Sequence, residues 1–189
     1  MRKDLIIMAA VAVMAASGGY FFAMRLSPSS SPGPPAERLA PGVAPVPENL
    51  LGQRRPDFSL ADAAGQWVSA DRFDGHVLLV NFWATWCAPC VDEMPMLSQF
   101  QRDYSGQGVV VVGVALDDPR RAQEFARELG VGYTLLFGLA DAMVVGRRYG
   151  NRAGMLPYSV LVDADGIIRW TRLGILDRGE LEAQLTALR

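Results

Sequence analysis

The sequence predicts an α/β sandwich built on a mixed sheet. Two nearly unbroken apolar runs, His76 to Ala84 and Val109 to Leu116, read as strands covered on both faces. Segments of helical spacing alternate with these runs, the pattern that produces parallel neighbours in one sheet. Near the C-terminus two further runs flank Asp163-Ala-Asp165-Gly166, a hairpin turn signal that adds antiparallel pairing ahead of a final helix.

The start of the 189-residue chain stands outside that pattern. Arg2 and Lys3 precede an uncharged apolar run from Leu5 to Met24, and Arg25 follows it. As a helix this run would span about 30 Å, the thickness of a bilayer core. Residues 1–25 are therefore expected to form a single-pass anchor in the cytoplasmic (inner) membrane. The positive charge ahead of the run places the N-terminus in the cytoplasm and the rest of the chain in the periplasm or extracytoplasmic space. A cleaved signal peptide is the alternative, with Ala15-Ala-Ser17 as a small-residue processing site. Tyr20, Phe21 and Phe22 carry the apolar run past that site and favour retention.

Residues 26–54 change composition abruptly. Pro28, Pro32, Pro34, Pro35, Pro41, Pro45 and Pro47 interrupt a Ser, Gly and Ala background, which predicts an extended, semi-rigid linker. Arg38, Arg54 and Arg55 read as residues that solvate it. A net charge of −2 gives no support to nucleic-acid binding.

Residues 55–189 form one domain of ordinary size, large enough to bury a core without disulfides. Phe58-Ser-Leu60 and Gln66-Trp-Val68 about Ala64-Gly65 predict an N-terminal hairpin. After the first buried strand, Val91, Met94, Leu97, Phe100 and Tyr104 recur at helical spacing, so Pro89 to Tyr104 is expected to be a helix, kinked at Pro95. Pro119 to Leu129 is amphipathic, with Pro at its start and Gly130 at its end. A short strand over Thr134 to Phe137 precedes a helix from Leu139 to Tyr149. Strands over Tyr158 to Val162 and Ile167 to Leu173 lead to a last helix, Arg178 to Leu188.

Chemistry concentrates at Cys87-Ala88-Pro89-Cys90, which holds both cysteines of the chain. A strand running into Cys-x-x-Cys at a helix start reads as a redox dithiol. At the helix N-terminus the Cys87 sulfur meets unpaired N–H groups and the positive end of the macrodipole, which stabilise the nucleophilic thiolate. Cys90, one turn on, is turned toward the sheet. Structural zinc needs four ligands, and only Cys87, Cys90 and His76 are available. A purely structural disulfide would close a very short loop and gain little. A copper(I) clamp by two soft thiolates stays open as an alternative.

Val80-Asn-Phe-Trp-Ala-Thr-Trp-Cys-Ala-Pro-Cys90, with Glu93 and Pro95 beyond it, resembles the thioredoxin superfamily. The N-terminal hairpin and anchor resemble its TlpA/ResA-like thiol–disulfide oxidoreductases. The likeness runs from Phe58 to the C-terminus, and Leu156-Pro157-Tyr-Ser-Val-Leu-Val-Asp-Ala-Asp-Gly166 matches the second landmark, a cis-proline before a strand. The resemblance implies a thioredoxin-like three-layer sandwich with an N-terminal β-hairpin extension. It also implies roles. Cys87 attacks and Cys90 resolves the mixed disulfide. Asn81 stands where thioredoxin has a buried aspartate, so Glu93 would act as base for Cys90. On the residues alone Glu93 is equally an exposed acid near a helix N-terminus, and Pro157 alone would be trans. Leu156 would offer backbone groups to an extended partner strand, and Trp86 would flank the site as a partner contact. One departure stands out: the usual Gly-x-Pro reads Gly154-Met-Leu-Pro157 here, with the glycine one residue early.

The function expected is an exported thiol:disulfide oxidoreductase without a cofactor, acting on protein dithiols or disulfides. The resemblance implies a reductase of specific partners, of the cytochrome c or copper-site maturation type, fed by a membrane electron donor of the DsbD/CcdA kind. A disulfide oxidant or isomerase uses the same motif in another poise. Peroxidase activity is not expected, because Cys87 lacks the Thr-x-x-Cys setting of peroxiredoxins. Asp163 and Asp165 do not make a calcium loop, since Gly174 occupies the position of the bidentate Glu. His76 reads as a surface residue, and Met94 and Met96 as packing.

Overall fold

The computed structural model describes residues 49–188. The anchor expected at residues 1–25, and the linker as far as residue 48, lie outside them. Among the described residues no helix is long and apolar enough to cross a membrane.

The strands are β1 (Ser59–Ala61), β2 (Trp67–Ser69), β3 (Val77–Trp83), β4 (Val109–Ala115), β5 (Thr134–Phe137), β6 (Tyr158–Val162) and β7 (Ile168–Leu173). The helices are α1 (Ala88–Tyr104), α2 (Pro119–Glu128), α3 (Ala140–Arg148) and α4 (Arg178–Ala187). One mixed sheet runs in the order β2-β1-β5-β4-β3-β6-β7. Helical crossovers α1 and α2 make β3, β4 and β5 parallel, while β6 and β7 return antiparallel through a tight turn. Asp163 builds that turn: its Oδ1 accepts the N–H groups of Asp165 and Ile167, and Oδ2 pairs with Arg169. The strand and helix boundaries agree with the sequence expectation to within a residue or so, and α1 continues through an exposed Pro95.

The pleat divides β3 between two faces. Leu78, Val80 and Phe82 point toward α3, where Val145 and Tyr149 cover them. Leu79 points toward α1 and α4 and packs with Leu97, Phe100, Leu181 and Leu185. Each such fully buried side chain contributes about 1.5–3 kcal/mol by leaving water. The sheet is thus covered on both faces, which explains the unbroken apolar runs of β3 and β4. In β4 the position opposite Asn81 is Gly113, and close packing demands it. A Cβ there would stand 2.6 Å from Leu135 Cδ2 and 2.9 Å from Tyr133 Cε2.

The packed domain begins earlier than residue 55, which corrects the linker boundary. Leu50 is buried in the α3-side core. Gly52 N–H donates to Ile168 O, and Ile168 N–H donates to Gln53 O, so this segment adds an edge to the β6–β7 hairpin. Arg55 does not solvate a linker. It is buried, with Nη2 donating to Ala70 O at 2.9 Å and to Asp74 Oδ1 at 2.6 Å. A guanidinium carries enough donors to satisfy a carbonyl and a carboxylate at once, so it can be buried where both are supplied.

The Cys87–Cys90 dithiol as candidate active site

β3 delivers the chain to the site, and a buried carboxylate fixes the bend that follows. Asp117, just beyond β4, accepts Thr85 N–H at 3.0 Å and Thr85 Oγ1–H at 2.5 Å through Oδ2. Its Oδ1 accepts Asp118 N–H. These hydrogen bonds, against the cost of its burial, hold the Asp117 carboxyl below its ordinary range. The loop carrying Trp86 and Cys87 is therefore tied to the end of the neighbouring strand.

Cys87 is the N-cap of α1, in extended backbone geometry, and its carbonyl accepts the N–H groups of Cys90 and Val91. Pro89 lies in the first turn, where a helix needs no N–H. Cys87 and Cys90 are joined by a disulfide with a Cα–Cα distance of 5.3 Å. Cys87 keeps 6 % of its surface exposed, whereas Cys90 keeps none and packs with Trp83, Met94 and Ala115. Trp86 is 64 % exposed beside the pair, and Trp83 is wholly buried. Of the two sulfurs, only that of Cys87 belongs to a residue with any exposed surface.

Glu93 lies one turn beyond Cys90 on the inner face of α1, 2 % exposed. It is not the exposed acid that local sequence allowed. Its Oε1 accepts from Asn81 Nδ2 at 2.7 Å, and its Oε2 accepts Leu176 N–H at 2.8 Å. Asn81 Nδ2 also donates to Ser159 Oγ at 3.0 Å. Burial dominates over these two hydrogen bonds and raises the Glu93 carboxyl from 4.5 to about 7. A group poised there can take and return a proton at neutral pH.

The Leu156–Pro157 bond is cis, as the resemblance implied against the preference of an isolated X-Pro bond. Pro157 is buried, and its carbonyl accepts Gly174 N–H at 2.9 Å. Leu156 is half-buried and packs against the cluster that contains both cysteines. The structure thus brings Cys87, Cys90, Glu93, Trp86, Leu156 and Pro157 to one end of β3, while His76 lies exposed at the other. Sequence reasoning missed Asp117, Ser159, Asn151 and the Leu176 N–H. The consecutive Asp117-Asp118 after a buried strand was the one available signal, since buried carboxylates need partners. Among the described residues no three His, Cys, Asp or Glu side chains cluster as metal ligands would.

The fold and the site define a thiol–disulfide oxidoreductase of thioredoxin-like architecture. Comparison with known proteins agrees. Residues 51–171 match the AhpC/TSA family, and the chain belongs to that family. It is similar to the thiol-disulfide oxidoreductase ResA of Geobacillus thermodenitrificans, 28 % identical over 140 residues, covering 74 % of this chain and 78 % of that one. It is 34 % identical over 157 residues to the thiol:disulfide interchange protein HelX of Rhodobacter capsulatus, covering 79 % and 74 % of the two chains. A Chlorobium tepidum crystal structure, described as the thiol:disulfide interchange protein DsbE, superposes with a TM-score of 0.67 at 30 % identity. That match covers 73 % of this chain and 96 % of the other.

Proposed function

We propose that this oxidoreductase is an exported, membrane-anchored reductase of specific protein disulfides, of the kind needed to mature cytochrome c or a copper centre. The observation that carries the reading is the buried Glu93 carboxyl, held near 7 and three residues along α1 from the fully buried Cys90. Reduction of a partner needs Cys90 to lose a proton in a place where water cannot take it.

The steps follow from that arrangement. The Cys87 thiolate attacks one sulfur of the partner disulfide, forming a mixed disulfide and releasing the other partner sulfur as a thiolate. Cys90 passes its proton to the Glu93 carboxylate and attacks Cys87. The bond from Cys87 to the partner breaks, the partner leaves reduced, and the Cys87–Cys90 disulfide forms. Two electrons have moved to the partner. A dithiol donor must return them, and a membrane protein of the DsbD/CcdA type fits a domain tethered outside the cytoplasm. Residues 1–25 supply the anchor in this reading, and Trp86, Leu156 and Pro157 the docking surface. The chemistry uses no cofactor.

The reduction potential of the couple, measured by equilibration against glutathione or dithiothreitol, tests the direction. A value around −270 mV, near thioredoxin's, supports the reductase, and one around −120 mV, near DsbA's, overturns it in favour of an oxidant.

A further inference from the structure

Between α3 and β6 the chain reads Asn151-Arg-Ala-Gly154-Met-Leu-Pro157. The structure shows what holds this segment in place. Asn151 is 5 % exposed, and its side-chain amide closes a ring on a single downstream residue. Its Oδ1 accepts Met155 N–H at 3.0 Å, and its Nδ2 donates to Met155 O at 2.8 Å. One side chain thus satisfies both peptide groups of Met155, as a neighbouring strand would. The backbone of Asn151 is anchored as well: its N–H donates to Gly146 O of α3 at 2.9 Å, and its carbonyl accepts Gly154 N–H at 3.2 Å. Gly154 has φ +65°, a conformation that side-chain-bearing residues adopt only with strain.

The ring has a consequence at the surface. With its backbone engaged, Met155 presents its side chain outward, 51 % exposed, directly before Leu156, which packs toward the cysteines. Two other loops converge on the same border. Trp86 is 64 % exposed on one, and Ile175 is 50 % exposed on the other, next to the Gly174 that binds the Pro157 carbonyl. None of residues 83–91, 153–157 or 173–176, the three segments around the reactive sulfur, is charged. The surface offered to a partner is apolar, and Met155 is the part of it that the Asn151 ring builds.

We propose that Met155 is a specificity-determining residue, and Asn151 the residue that positions it, for disulfide exchange at Cys87. Together they select a partner whose disulfide cysteine lies in an extended, uncharged segment beside a large apolar side chain. This rests on the reading of the protein as an exchanger of protein disulfides. The Asn151 ring engages Met155 and leaves the peptide groups of Leu156 to pair with the incoming segment, so the apolar side chain of that segment meets Met155.

The test uses three oxidised substrates: a disulfide-linked peptide with Leu beside its cysteine, the same peptide with Asp there, and hydroxyethyl disulfide. Met155→Ser changes an exposed side chain and leaves the core untouched. Asn151→Asp sets a carboxylate oxygen against the Met155 carbonyl and opens the ring. Each variant is expected to lower kcat/KM for the Leu peptide roughly tenfold, chiefly through KM, with hydroxyethyl disulfide unchanged and the preference for Leu over Asp reduced. Wild-type kcat/KM for the Leu peptide in Met155→Ser overturns the proposal, as does an equal loss on all three substrates. If the wild-type protein exchanges with none of the three, the exchange reading itself fails, and this proposal with it.

Discussion

The Glu93 carboxylate accepts the backbone N–H of Leu176 at 2.8 Å, joining α1 to the segment that opens α4. Leu176 lies two residues beyond the Gly174 that binds the Pro157 carbonyl, so one short connection holds both the buried acid of α1 and the cis-proline. Removing the acidity of residue 93 while keeping its shape isolates its chemical role. Glu93→Gln can still accept from Leu176, and Asn81 Oδ1, which has no partner among the described residues, can turn to meet the new amide. The wild-type rate of mixed-disulfide resolution should rise with pH around 7, as Glu93 ionises. In Glu93→Gln it should fall about a hundredfold and lose that dependence. Stopped-flow release of a chromophoric thiol measures both, and a variant with the wild-type rate and profile removes Glu93 from the mechanism.

The same group links folding to pH, with a definite sign. Its carboxyl is raised from 4.5 to about 7 in the folded protein, so the folded state binds more protons than the unfolded state between those values. Its contribution is fully present below the ordinary carboxyl range and is lost as pH climbs through 7. The loss amounts to about 3 kcal/mol. The oxidised protein should therefore melt at a higher temperature at pH 5 than at pH 8, and Glu93→Gln should narrow the gap. Calorimetry showing equal gaps would contradict the linkage.

Asp117→Ala strands the Thr85 N–H and hydroxyl beneath the active-site loop. Loss of charge-assisted hydrogen bonds at a buried carboxylate is expected to cost about 2–3 kcal/mol in urea unfolding. Reduction of peptide substrates should slow as the Trp86–Cys87 turn loosens. Asp117→Asn keeps an acceptor for Thr85 and should recover most of both.

At Gly113 the prediction is steric. An alanine Cβ would sit 2.6 Å from Leu135 Cδ2, 2.9 Å from Tyr133 Cε2 and 3.2 Å from Trp83 Nε1, so three side chains would have to shift together. Overpacking of this kind costs about 1–3 kcal/mol, read as a lowered urea midpoint.

Cys90→Ser separates the two halves of the reaction. A partner peptide disulfide should accumulate as a stable adduct on Cys87, visible by mass spectrometry as one peptide per chain. Cys87→Ser should form none, because Cys90 has no exposed surface from which to begin. Adduct formation at Cys90 would reverse the assigned roles.

The strands and helices were legible because each is a local pattern. β3 and β4 are covered on both faces and read as apolar runs, and α2 carries Pro at its start and glycine after its end. The dithiol was legible because its spacing is its chemistry. Glu93 was half legible: its spacing put it on the face of Cys90, but its burial depends on Asn81 and Leu176, far away in sequence. Arg55, Asp117 and Asn151 stayed hidden for a related reason. Arg55 looked like a solvated charge at the end of a proline-rich stretch, because its partner Asp74 lies beyond the hairpin. Asp117 meets Thr85 only once β3 and β4 lie side by side. Asn151 bonds a residue only four positions away, yet nothing in the letters shows that its amide turns inward rather than toward water.

The unequal exposure of the two sulfurs also bears on how the protein withstands chemical attack. A peroxide that reaches Cys87 oxidises it to the sulfenic acid, the first rung of a ladder whose upper rungs are irreversible. Cys90 sits one turn away, shielded from the same reagent by the core. Its thiol condenses with the sulfenic acid, releasing water and leaving the disulfide that ordinary turnover also produces. Damage thereby converges on the disulfide of ordinary turnover, which a dithiol reductant opens again.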